Sequence, residues 1–168
     1  MEHQQAIEGL TVPGQHGPRP TVTDAMKLAA AMPIAKEMLS GMGDSIEAGA
    51  KSIADYGSLH MDGYELAKEL EGDGWDITRE DVDTLDGFSW NLREELEKAE
   101  KEWADGNDIK PPLPIGTRVI TPHSGEGEIT GVHQHGAAMY LVRPDSYTEQ
   151  DDANKRRLII KFEDATAA

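Results

Sequence analysis

The chain has 168 residues, with 32 Asp and Glu against 16 Lys and Arg, a formal net charge of −16 and a mean hydropathy of −0.57. It contains no cysteine, which excludes disulfides, thiolate metal sites and thiol nucleophiles. No apolar run approaches the roughly 20 residues that a bilayer-spanning helix needs, and MEHQQAIEGL at the start lacks the basic and apolar stretches of a secretory signal, so a soluble cytoplasmic protein is expected.

The charge is concentrated. Residues 59–108 hold 17 acids and 5 bases, a net of −12, whereas residues 1–58 carry −3 and residues 109–168 carry −1. Such a field repels nucleic acid and membrane surfaces and attracts basic proteins.

Along the chain, residues 1–20 collect Pro13, Gly14, Gly17, Pro18 and Pro20 with little apolar content, which predicts a disordered or loosely held arm. TVTDAMKLAAAMPIAKEML then has helical spacing through Met26, Ala30, Ile34 and Met38, with Thr23 as N-cap. Pro33 inside that pattern is expected to kink or divide the helix. A second helix opens at Asp44 or Ser45, with Ile46, Ala50, Ile53 and Ala54 on one side. A short third helix over 62–71 carries Tyr64, Leu66, Ala67 and Leu70.

Residues 79–104 give the clearest periodicity. Val82, Leu85, Ser89, Leu92, Leu96, Ala99 and Trp103 recur at steps of three or four, which predicts one continuous helix capped by Thr78 with Asp81. Glu94 with Lys98 and Glu97 with Lys101 have the spacing of i, i+4 ion pairs. KPPLP at 110–114 ends the helical pattern and reads as a stiff extended linker.

Beyond it the period becomes two. TRVIT, EGEITGVH, AAMYLV and RRLIIKF are strand candidates separated by HSG, QHG and a polar loop from Pro144 to Asn154. So few short strands are best accommodated in a small closed barrel. The expected fold is therefore α+β: an arm over 1–20, about four helices over 21–109, a Pro-rich linker over 110–114 and a small antiparallel barrel over 115–168.

Gly116, Val119, Gly125, Gly127, Ile129 and Gly131 in GTRVITPHSGEGEITGV, followed by MYLVRPD and RRLIIKFED, resemble the SH3-like barrels of the KOW and transcription-factor type. That resemblance implies binding to RNA polymerase, ribosomes, nucleic acid or other proteins. The basic loop usual in that group is reduced here to Lys155, Arg156 and Arg157, so direct nucleic-acid contact is not expected. As a whole the chain is similar to small accessory proteins of tailed phages.

ELEGDGWDITRED, residues 69–81, has the look of a calcium loop. With Glu69 first, Glu71, Asp73, Gly74 and Glu80 fall at positions 3, 5, 6 and 12, but Asp76 occupies the apolar position 8. A turn fits better: Gly72 and Gly74 permit a helix C-cap, Trp75 and Ile77 tuck into the core, and Thr78 opens the next helix. His133 and His135 lie two apart and would share a strand face, yet no carboxylate stands at a spacing that completes a metal site. There is no P-loop, HExxH or nucleophile elbow, and Ser124 beside His123 lacks a base-and-orienter arrangement. Neither catalytic residues nor a cofactor is expected.

The 62–86 stretch holds 10 acids against Lys68 and Arg79, a net of −8. Such imbalance costs self-repulsion, and two readings account for it: a cationic partner, or plain solubility. The leading expectation is an acidic interaction protein occupying a basic, nucleic-acid-binding surface, concretely a phage-encoded inhibitor of a host defence nuclease. Asp73, Asp76, Glu80, Asp83, Asp86 and Glu94 would stand for phosphates, with Trp75 or Trp90 as anchors. A helix of about 25 residues spans roughly 37 Å, along which duplex DNA carries about 22 charges, so any mimicry is partial. Two other readings are an adaptor that works through its barrel on RNA polymerase or another assembly, and a virion or assembly component.

Overall fold

The computed structural model describes residues 17–43 and 45–168. The fold is α+β, with helices in the N-terminal part followed by a five-stranded antiparallel sheet. The described residues form two compact units, one comprising 20–99 and the other 17–19 together with 100–168.

In the helical unit, α1 spans Asp24–Met38 and starts where the Thr23 hydroxyl accepts the Met26 N–H at 3.3 Å. Pro33 does not divide it. Pro33 lies on the exposed side, as does Ala29, whose carbonyl loses its usual i+4 partner, so solvent can satisfy that oxygen. The opposite side buries Ala30, Ala31, Ile34 and Ala35. α2, Ser45–Tyr56, answers with Gly49, Ala50, Ile53 and Ala54, so two small-residue faces pack closely. Asp44, the other candidate start of this helix, lies outside the described residues.

α3, Gly63–Gly72, opens with a reciprocal capping box between Asp62 and Glu65. Leu66, Ala67 and Leu70 are buried, whereas Tyr64 of the same helix is 61% exposed. Its C-terminus is a Schellman turn. Gly74, at φ +93°, donates to Glu71 O, and Trp75 N–H donates to Leu70 O. The stretch that resembles a calcium loop is therefore a helix stop.

The single helix expected over 79–104 is two: α4, Arg79–Leu85, and α5, Gly87–Gly106. The Asp86 carboxylate at the junction accepts the Gly63 N–H. A Cβ on Gly63 would sit 2.3 Å from Val82 O and 2.6 Å from Asp86 N, so the start of α3 is wedged against the break. The break also turns the register. Phe88, with Leu85 and Leu92, enters the core, while Ser89 of the expected stripe is only partly covered. The Thr78–Asp81 capping box forms as expected.

In the second unit, β1 (Arg118–Thr121), β2 (Gly125–Val132), β3 (Met139–Pro144), β4 (Leu158–Lys161) and β5 (Thr166–Ala167) run in the order β4-β3-β2-β1-β5. Alternation sends Val119, Ile129, Tyr140 and Val142 into its core, joined by Ala165 and the partly buried Ile160 and Phe162. At Gly127 a Cβ would lie 2.7 Å from Arg143 O, so glycine allows β3 to approach. A bulge follows between Ile129 and Gly131. The polar loop carries a short helix, α6 (Glu149–Ala153), that strand periodicity did not reveal. A 3-10 turn, Phe162–Asp164, precedes β5. Leu113 of KPPLP packs on this core, and its N–H donates to the Tyr140 hydroxyl at 2.6 Å. The division between units falls inside α5, at Ala99/Glu100. Of the expected loose arm, residues 1–16 lie outside the described residues, and Arg19 at its end is held by hydrogen bonds.

Candidate functional site

The ten acids of the 62–86 stretch fall into two groups. Six carry internal bonds. Asp62 accepts Glu65 N–H at 2.8 Å and Glu65 returns to Asp62 N–H at 3.3 Å. Glu71 pairs with Lys68 at 2.6 Å, and Asp73 accepts from the Ser52 hydroxyl at 3.3 Å. Asp81 accepts Thr78 N–H at 2.8 Å, and Asp86 accepts Gly63 N–H. The other four, Glu69, Asp76, Glu80 and Asp83, are exposed, and their carboxylates have no hydrogen bond or ion pair among the described residues.

This division sorts the residues expected to meet a partner. Asp73 and Asp86 serve the helical scaffold, one beside the α3 stop and the other at the α4–α5 break. Trp75 is half-buried, and a Cβ on Gly49 would stand 3.2 Å from its ring, so it plugs the helical core. Trp90 on α5 is 64% exposed. Glu94 is exposed, and the ion pairs expected for Glu94–Lys98 and Glu97–Lys101 do not form. Holding two long exposed side chains in one geometry costs about as much entropy as such a pair returns.

Packing brings one of the four unpaired acids into a groove. Pro33, Ile34 and Glu37 of α1, Asp83 and Thr84 of α4, and Gly87 and Asn91 of α5 enclose about 420 Å³. Ile34 is buried and forms the apolar floor. The Thr84 hydroxyl lies 3.3 Å from Glu37 Oε1, and Asn91 Nδ2 donates to Ala30 O at 3.2 Å, so the rim is fixed. Two exposed carboxylates, Glu37 and Asp83, therefore flank an apolar floor. That arrangement suits the stem and head of a lysine or arginine side chain. A larger groove between α1 and α2, about 670 Å³, mixes Asp24, Glu47 and Asp55 with Lys27 and Lys51, and so lacks this single sign.

Sequence reasoning missed Glu37. It lies outside the acidic stretch, and only the packing of α1 against α4 joins it to Asp83. The local field is legible in Tyr56, whose phenol is pushed above its ordinary 10.0, first by the charge of Asp73, then by burial and by Asp73, Glu69 and Asp55 in turn.

Elsewhere, the His133 and His135 rings meet edge to face at 5.9 Å, and His133 Nδ1 is buried without a hydrogen-bond partner. No group of three or more His, Cys, Asp or Glu poised to hold a metal occurs among the described residues. No helix among them is long and apolar enough to cross a membrane. Comparison with protein-family models, with curated proteins and with solved structures found no match.

Proposed function

We propose that the protein is a non-enzymatic acidic interaction protein whose helical unit docks on a cationic, nucleic-acid-binding surface of another protein. The observation that carries this reading is the unpaired state of Asp76, Glu80 and Asp83. These carboxylates accept no hydrogen bond and balance no cation among the described residues, and apart from the place of Glu80 in the first turn of α4 nothing among those residues offsets their mutual repulsion. The Glu37–Asp83 groove gives the surface a place for one basic side chain, and the exposed Trp90 offers an aromatic face for another. The decoy is partial, because half a dozen carboxylates do not reproduce the charge of duplex DNA. A phage-encoded inhibitor of a host defence nuclease is the concrete form of this proposal.

The test is affinity capture from nuclease-treated bacterial lysate with wild type and with Asp76→Lys, Glu80→Lys, Asp83→Lys combined. Wild type should retain a basic protein that leaves as salt rises, since screening shortens from about 10 Å at 0.1 M to 3 Å at 1 M. The reversed variant should not retain it. Identical captures would reject the proposal.

A second reading, an adaptor working through the sheet unit, is favoured by the strand order, by the 3-10 turn before β5 and by outward-facing Ile120 and Ile159. These features support the SH3-like resemblance. If the adaptor reading holds, Ile120→Glu with Ile159→Glu removes the captured partner and the acidic reversal leaves it bound.

A further inference from the structure

Residues 17–20 read Gly-Pro-Arg-Pro. Gly17 and Pro18 are exposed, yet the Arg19 side chain is only 8% exposed. Its Nε and Nη2 donate to the two carboxylate oxygens of Glu163 at 2.9 and 3.0 Å, a forked pair. Nη1 donates to Ala137 O at 2.8 Å and lies 3.5 Å from Glu100 Oε2, while Nη2 also reaches Ala138 O at 3.3 Å. The guanidinium carbon stands 4.9 Å from the centre of the Trp103 ring and 6.0 Å from that of Phe162. Glu100 has a side chain only 5% exposed, and its other oxygen is 3.2 Å from Lys161 Nζ.

Every partner of this guanidinium belongs to residues 100–168, and each suits a guanidinium in particular. Two carboxylates and two carbonyls match its several N–H groups, and an aromatic face covers its plane. An ammonium is a point charge and would leave part of this set unpaired. Among the described residues 17–20, the side chain that enters the pocket is that of Arg19, held between two prolines, which fix an extended backbone and have no N–H to donate. A peptide ligand presents an anchor side chain to a prepared socket in the same way.

We propose that Glu100, Trp103, Ala137, Ala138, Phe162 and Glu163 form an arginine-recognition pocket whose resident occupant is the chain's own Arg19. A proline-flanked arginine on an extended segment of a partner protein takes the same pocket when Arg19 leaves. This second binding site is independent of the acidic helical face. A tethered occupant of about 10 μM intrinsic affinity, at an effective concentration on the order of millimolar, suppresses a competitor by roughly 100-fold. The internal arginine therefore gates the site against weak ligands.

The experiment uses the full chain and a fluorescent peptide copying residues 14–22, with binding read by anisotropy. Arg19→Ala, shown folded by circular dichroism, should bind the peptide about 100-fold more tightly than wild type, and a peptide with Lys in place of its Arg should not bind. Equal affinity for wild type and variant, or equal binding of the Lys peptide, overturns the proposal. If Arg19→Ala does not fold, Arg19→Lys keeps the charge but not the fork. It should bind the Arg peptide at least about tenfold more tightly than wild type. A folded Arg19→Lys that binds no better than wild type, or failure of both variants to fold, makes Arg19 a structural residue and overturns the proposal.

Discussion

Asp81 and Asp83 stand two residues apart on α4, both exposed or nearly so, yet they should respond oppositely to alanine. The Asp81 carboxylate accepts the Thr78 N–H at 2.8 Å and its hydroxyl at 2.7 Å, at the positive end of the helix. Losing a cap interaction costs about 1 kcal/mol, and losing an anion from the first turn costs ~0.3–1 kcal/mol more. Alanine's better helix propensity returns roughly 0.5 kcal/mol, which leaves Asp81→Ala about 1 kcal/mol less stable. Asp83 has no bond to lose, so the propensity gain and relieved repulsion make Asp83→Ala neutral or more stable by about 0.5 kcal/mol. In urea with a slope of about 1–3 kcal/mol/M, the Asp81→Ala midpoint falls by roughly 0.3–1 M, and that of Asp83→Ala holds or rises. Helical circular dichroism at neutral pH and low salt reads both. Equal losses, or a larger loss for Asp83→Ala, would refute the division of the acidic stretch into scaffold and unpaired groups.

Other consequences follow from the same geometry. Gly63→Ala forces a methyl against Val82 O and the Asp86 backbone, and should lower stability by ~2–3 kcal/mol in urea unfolding; a change under about 0.5 kcal/mol would mean the α4–α5 junction is not wedged. Asp145, bound to Arg118, is held below its ordinary 3.8, so the stability it adds is present above 3.8 and disappears as pH falls through its lower folded value. Urea midpoints of wild type and Asp145→Asn should therefore differ at neutral pH and converge in acid, whereas a margin that persists in acid contradicts that pairing. Replacing Asp73 with Asn removes the first cause of the raised Tyr56 phenol, and ultraviolet titration should find it nearer 10.0; an unmoved value would place the cause elsewhere.

What the sequence discloses here is what is local. The Thr23 cap and the Thr78–Asp81 box are read from residues three apart, and the strands of the sheet unit from alternation. Thr148 with Asp151 forms the same box ahead of α6, a signal present in the sequence but obscured by the polar loop around it. The α4–α5 break is not local, because Gly63 lies 23 residues before the Asp86 carboxylate that receives its N–H. Periodicity through Val82, Leu85 and Leu92 drew one stripe across that break, and Phe88, which the break turns inward, was left off it. The groove shares this limit, since Glu37 and Asp83 meet only through helix packing. Arg19 is the extreme case. It sits among glycine and prolines that suggest a loose arm, and its hydrogen-bond acceptors lie 118 to 144 residues along the chain. Charge counting located the acidic stretch, but only hydrogen bonds separate the carboxylates that hold helices from those with no internal partner.

Whether Asp76, Glu80 and Asp83 serve a cationic partner is tested most directly by capture from nuclease-treated lysate on wild type and on the triple Lys variant, followed by elution with duplex DNA. Wild type should capture a basic nucleic-acid-binding protein that DNA displaces, and the variant should not. The same proteins on both baits, unmoved by DNA, would contradict that role.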